Sequence, residues 1–172
     1  MGELEKMRFG QEQIHNTHIY EQVFSTHRDR LYRLAAGILG NPSDAEDVLQ
    51  ITAIKCWQNS KQLRDLEVAP AWLTRIVVNA CRDVLRRRKR QPQKVNNPDM
   101  DVPVYDQHWV EFEAMVSHLP ERQREFVILK FGMDLTFKEI AFVSGAAEST
   151  VKYQLGRAIH QLRKGYGQKG GG

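Results

Sequence analysis

The 172-residue chain has only two cysteines, Cys56 and Cys81. That excludes a disulfide scaffold, and it leaves any Cys-based metal site short of ligands. No apolar run approaches the roughly 20 residues that a membrane-spanning helix needs. Met1-Gly2-Glu3-Leu4-Glu5-Lys6 opens the chain without the apolar stretch of a secretory signal, and Lys6 stands where a myristoylation motif wants Ser or Thr. A cytoplasmic protein with no membrane insertion is the expectation. Gly-rich phosphate loops and nucleophile elbows are missing, so nothing points to an enzyme. Six histidines are present, and His15-x-x-His18 has ligand-like spacing. No carboxylate or cysteine cluster completes a closed site there, so no metal and no cofactor are expected.

Charge is balanced in total and uneven in place. Lys and Arg number 25 against 21 Asp and Glu, a net charge of +4. From Arg82 to Lys94 the chain reads RDVLRRRKRQPQK, with seven bases and one acid, while acids gather at Asp44-Ala45-Glu46-Asp47. Such segregation suggests one anionic partner and one of another kind.

Alternating strand patterns and internal repeats are absent, and helical periodicity dominates. The expected class is all-α: two small helical domains, residues 1–90 and 108–164, on a flexible linker, 91–107, with a disordered tail, 165–172. Residues 1–17 are weakly periodic and are expected to fray. A first helix from Ile19 ends at Gly40-Asn41-Pro42. A second, capped by Ser43 or Asp44, runs to about Trp57. A polar loop follows, and Pro70 opens a third helix reaching about Arg90. The linker holds three prolines, and five of the last eight residues are glycine. The later block spans Trp109 to Lys164.

Three faces carry information. On the second helix Ala45, Val48, Leu49, Thr52 and Cys56 form a core side. Asp47, Gln50, Ile51 and Ile54 lie opposite, at i, i+3, i+4 and i+7. Two outward isoleucines suit either a protein-docking stripe or packing against the N-terminal helix. On the third helix Leu73, Ile76, Val77, Ala80 and Val84 face inward. Arg75, Asn79, Arg82 and Arg86 line the other side, with Asp83 the only acid nearby. Guanidinium forks match phosphate oxygens, and an Asn amide can bond a base edge. The alternative is a solvated basic face. The preceding loop mixes Leu63, Leu66 and Trp72 with Lys61 and Arg64, which suits a pocket for an unstacked base, although Trp72 also suits a core. In the later block Thr136 caps a short helix to Val143, Ser144-Gly145-Ala146 makes a turn, and a second helix starts at Ala147 or Glu148. Ile140, Val151 and Leu155 supply its core, while Ser149, Lys152, Tyr153, Gly156 and Arg157 face outward. That is a helix-turn-helix suited to a major groove.

In order, the segments DAEDVLQ, WLTRIVVNACRDVLRRRKR and LPERQREFVILK, within residues 19 to 164, resemble bacterial sigma factors of the extracytoplasmic-function group. The resemblance implies a non-enzymatic promoter-recognition subunit of RNA polymerase. Its sigma-2-like domain would dock Asp47, Gln50, Ile51 and Ile54 on the clamp coiled coil of the large polymerase subunit. Asn59, Leu63, Trp72, Arg75, Asn79, Arg82 and Arg86 would handle the −10 element, with Asn79 at the family's base-contacting position and a non-template base flipped out. Its sigma-4-like domain would set Ser149, Lys152, Tyr153, Gly156 and Arg157 against the −35 element. Polymerase clamp and flap, promoter DNA and an anti-sigma factor are the implied partners. Ile51 and Ala53 depart from the usual acid and aromatic, and Ser144, Ala146, Ser149, Gln154 and Gly156 depart around the helix-turn-helix. A free-standing DNA-binding regulator would account for the helix-turn-helix but not for the second-helix stripe.

Overall fold

A computed structural model describes the backbone of residues 3–59, 66–91 and 107–167, and the side chains of residues 21–59, 67–91 and 107–165. Seven α-helices lie in the described residues, with no strand among them: α1 (Glu3–Leu39), α2 (Pro42–Gln58), α3 (Ala69–Arg90), α4 (Gln107–Val116), α5 (Glu121–Val127), α6 (Phe137–Ser144) and α7 (Glu148–Gly167). A 3-10 turn, Leu66–Val68, leads into α3, and a π-helical turn, Ile128–Gly132, continues α5.

The ends of these helices follow from local chemistry. Gly40 stops α1 at φ +60°, a left-handed conformation that costs a side-chain-bearing residue about 1 kcal/mol or more. The next cap is Asn41, not Ser43 or Asp44: its side-chain oxygen accepts the Asp44 N–H at 3.0 Å, and Pro42 fills the first turn, where no N–H is needed. Two further boundaries differ from expectation. The α1 backbone is helical from Glu3, because Glu, Leu, Lys, Met and Arg in its first turns are good helix formers. The last helix continues to Gly167, three residues past Lys164. Residues 92–106 of the expected linker and residues 168–172 of the tail lie outside the described residues.

Helices α1, α2 and α3 pack on one another; α7 packs on both α5 and α6, and α6 packs on α3 as well. The inward sides are those the periodicity marks. Ala45, Val48, Leu49, Thr52 and Cys56 are buried on α2, and Leu73, Val77, Ala80 and Val84 on α3, with Ile76 half-buried. Fully burying each large aliphatic or aromatic side chain contributes about 1.5–3 kcal/mol.

The two groups of helices are not separate. Their buried side chains form one continuous core, from Leu31 in α1 to Ala158 in α7. The second half of α1 is covered nearly all round: Leu31, Tyr32, Leu34, Ala35, Ala36, Ile38 and Leu39 are all buried. A helix flanked on every side buries more than one stripe. Gly37 permits this, since a Cβ there would come within 3.0 Å of Ile128 Cδ1 and 3.7 Å of the Trp109 ring.

Candidate polymerase and nucleic-acid interface

Helix α2 carries its stripe in the open. Asp47, Gln50, Ile51 and Ile54 are exposed, Ile54 at 55%. Trp57, three residues beyond Ile54, continues the same line at 62% exposure. In the sequence Trp57 marks only the helix end, yet its i+3 spacing from Ile54 is the signal that places it on the stripe. Three large apolar groups in a row beside an acid and an amide form a surface fit to receive a partner.

Around α3 the candidate residues divide. Asn59 ends α2, half-buried, and its Nδ2 donates to the Lys55 carbonyl at 2.8 Å. Leu63 lies outside the described residues. Trp72 is half-buried and packs against the core. Asn79 is exposed, flanked along the helix by Arg75 and Arg82. The four-residue face expected to be open to one ligand is not uniformly so. Arg86 pairs with Asp83 on the surface. Arg75 sits over the Phe142 ring of α6, 5.2 Å from its centroid. Arg82 is the largest departure, because its acid partner is not Asp83. Its Nε donates to Glu125 Oε2 at 2.9 Å, its Nη2 to Glu125 Oε1 at 2.6 Å, and its Nη1 to the Ser144 carbonyl at 2.9 Å. Glu125 is 4% exposed. A buried acid 43 residues away leaves no trace in helical periodicity, so this partner could not be read from the sequence.

The basic run is likewise not all available. Arg88 is committed to Asp44 and to the Leu39 carbonyl, and Lys89 to Glu121 at 2.9 Å. Arg87 and Arg90 are exposed.

The helix-turn-helix is well formed. Glu139 N–H donates to Thr136 Oγ1 at 3.2 Å, and Thr136 N–H donates to Glu139 Oε2 at 2.7 Å, a reciprocal cap that opens α6. The Thr136 N–H and, with it, the Thr136 hydroxyl donate to the Glu139 carboxylate and hold it below the usual range. Gly145 closes α6 at φ +67°, which lets α7 turn across it. Ile140, Val151 and Leu155 are buried between the two helices. Ser149, Lys152, Tyr153, Gly156 and Arg157 are all exposed along α7. Arg157 lies 5.9 Å from the Tyr153 ring centroid, and Lys152 pairs with Glu148 at 2.8 Å. A groove beside them is lined by Pro120, Gln123, Tyr153, Gly156, Arg157 and His160. Cations and an aromatic exposed along the first half of a helix are the materials of major-groove recognition.

Among the described residues no group of His, Cys, Asp and Glu is placed to hold a metal ion. The His15 and His18 side chains lie outside them. Both cysteines are buried and unpaired. Burial pushes the Cys56 thiol up to about 11 and Cys81 higher still.

Two family models match the chain: Sigma-70 region 2 over residues 23–91, and Sigma-70, region 4 over residues 109–162. The ECF RNA polymerase sigma factor SigM of Mycobacterium tuberculosis is 32% identical over 151 residues, covering 84% of this chain and 76% of the relative. RNA polymerase sigma factor SigV of Bacillus subtilis is 28% identical, covering 80% of this chain and 84% of its own length. Among solved structures, the sigma factor RpoE from Bartonella quintana, crystallised with the anti-sigma factor NepR, superposes with a TM-score of 0.64. It is 24% identical, and the match covers 91% of this chain and 95% of that one.

Proposed function

Because the chain belongs to the extracytoplasmic-function (ECF) group of the sigma-70 family, we propose that its α2 stripe docks on core RNA polymerase and that α3 and α7 read a promoter. The protein is a promoter-recognition subunit that directs transcription initiation. Residues 1–90 act as the sigma-2 domain and residues 108–164 as the sigma-4 domain, with 91–107 linking them.

The observation that carries the reading is the open line Asp47, Gln50, Ile51, Ile54 and Trp57 on α2. A protein that only bound DNA would have no use for it. The stripe meets the clamp coiled coil of the large polymerase subunit, with the flap receiving the second domain. Asn59, Leu63 and Asn79 take a flipped non-template base of the −10 element, and Trp72 backs that pocket from the core. Arg75, Arg82 and Arg86 hold the phosphates on either side. Extruding a base costs a few kcal/mol of stacking and pairing, which a pocket with flanking phosphate clamps offsets. Ser149, Lys152, Tyr153, Gly156 and Arg157 face the −35 element.

No helix among the described residues is long and apolar enough to cross a membrane. The protein works beside polymerase, in the cytoplasm. The protein supplies no catalytic group; the polymerase carries the chemistry. An anti-sigma factor controls its release, as suggested by the partner in the Bartonella quintana complex.

Run-off transcription from a randomised promoter library, with bacterial core polymerase and with or without the chain, tests this. Chain-dependent initiation at a shared two-part motif is the expected result. Core binding without initiation would mean that the promoters are missing from the library. If the chain failed to bind core, a free-standing DNA-binding regulator would become the better reading.

A further inference from the structure

We propose that Glu125 is an intramolecular stand-in for promoter phosphate, holding Arg82 shut away from DNA until the two halves of the chain separate. The proposal rests on the reading of Arg82 as a −10 phosphate contact and adds how that contact is regulated.

The geometry is that of a filled anion site. Glu125 presents two oxygens to the Arg82 fork at 2.6 and 2.9 Å, the bidentate match that a phosphate would also make. The Ser144 carbonyl takes a third donor at 2.9 Å. Every nitrogen of the guanidinium therefore has an acceptor from beyond α3, and a phosphate can take the same paired donors only by displacing Glu125.

Arg88, two turns further along α3, gives the comparison. It too makes a three-bond clamp, but Asp44 and the Leu39 carbonyl both belong to the first three helices. That clamp survives any movement of the second half of the chain, whereas the Arg82 clamp does not.

Neighbouring contacts close over the same side. Arg75 lies against Phe142, Lys89 bonds Glu121, and Arg30 donates to the Met133 carbonyl. Gly37 seats Trp109 and Ile128. The α2 stripe and the outward face of α7 stay exposed throughout. So the closed chain offers its polymerase-docking and −35 surfaces while its −10 phosphate clamp is occupied. An ion pair with one buried and one part-exposed partner is a suitable latch, because the cost of burying the carboxylate offsets much of the attraction and a second anion can take over the site. On release Glu125 keeps a neighbour, Arg122, at 3.6 Å.

Two variants of the full chain test the latch. Glu125→Gln removes the charge. Gly37→Leu drives a side chain into Ile128 and Trp109 from the α1 side, leaves every charge in place, and improves the helix propensity of α1. Spin labels at the exposed positions Asp29 and Gln161 report the separation of the two halves. A fluorescent single-stranded 20-mer of random sequence reports DNA binding, since phosphate contacts do not depend on sequence. Each variant is expected to broaden the label distances to longer values and to tighten DNA binding about tenfold, the factor carried by one charge-assisted hydrogen bond.

Unchanged distances and affinity in both variants would overturn the latch, and so would separation without any gain in affinity. Arg82→Ala in the Gly37→Leu background keeps the two readings apart. If it leaves affinity unchanged, the DNA role of Arg82 fails. If it lowers affinity while Glu125→Gln has no effect, only the latch fails.

Discussion

Arg88 of α3 ties two other helices together: its Nε donates to Asp44 in the first turn of α2 at 3.0 Å, and its Nη1 donates to the carbonyl of Leu39, the last residue of α1, at 2.8 Å. One guanidinium thus satisfies an open carbonyl at the end of α1 and holds the acid that suits the positive start of α2. Arg88→Ala is expected to lower unfolding free energy by about 1.5–3 kcal/mol in urea titration, the range for hydrogen bonds to charged groups. Arg88→Lys recovers only part, because an ammonium cannot span both acceptors in a fork. Equal stability of Arg88→Ala and the parent chain would show that the clamp contributes nothing.

Polymerase affinity should depend on α2 apart from fold stability. Ile54 is 55% exposed and Trp57 62%, so Ile54→Asp and Trp57→Ala remove little packing. Surface changes of this kind usually shift stability by less than about 0.5 kcal/mol. Each is expected to weaken core binding at least about tenfold, as truncated interface anchors do, with an unchanged melting temperature. Calorimetric titration into core polymerase reads the first quantity and thermal melting the second. Loss of both together would mean that the residues serve the fold.

Gly156 is a cost without a structural return. It lies within α7, and a Cβ there meets nothing within 4 Å. Glycine inside a helix loses about 0.5–1 kcal/mol against alanine, so Gly156→Ala should raise the melting temperature. If the bare backbone makes room for the −35 duplex, the same variant binds promoter more weakly. Lys152→Ala and Arg157→Ala, next to it, should each reduce the salt slope of holoenzyme binding by about 1. A Gly156→Ala chain that is more stable and binds equally well would remove Gly156 from the DNA surface.

Helical periodicity made much of this legible. The core of α2, the inward side of α3 and the helix-turn-helix with Thr136 and Gly145 all follow from spacing and caps within a few residues. What stayed hidden depends on distance. Arg82 is a basic residue on a basic face until α5 folds back and brings Glu125 to it. Gly37 looks like a small residue on an ordinary helix, and only the approach of Ile128 and Trp109 explains it. Asn41, Ser43 and Asp44 are equally good caps by residue type, and Pro42, which fits the first turn, is what makes Asn41 the cap.

Neither thiol should react in the folded protein. Cys56 is raised to about 11 by burial, so on the order of one thiol in a thousand is ionised at pH 8, and the thiolate is the reactive form. Cys81 is more deeply buried, with the Glu125 charge adding to the effect. Disulfide-exchange reagents should label both positions in denaturant and neither without it. Rapid labelling of Cys81 alone in native buffer would show that the contact between α3 and α5 opens often.

Two carboxylates should pull stability in opposite directions with pH. Hydrogen bonds from Thr136 lower Glu139 below its unfolded value. Its contribution is present above the unfolded value and is lost as pH falls through the folded one. Burial raises Glu113, so its charged form is a penalty in the folded state. That penalty is complete above the raised value and is relieved as pH falls to the unfolded one. Glu139→Ala should therefore be less stable than the parent chain at pH 7, with the part of the gap that depends on its charge closing in acid. Glu113→Gln should be more stable at pH 7, with its advantage disappearing below about pH 4, the ordinary Glu range. Urea midpoints at pH 7 and pH 4 separate the two, because a general effect of removing acid from a basic protein would move both variants the same way.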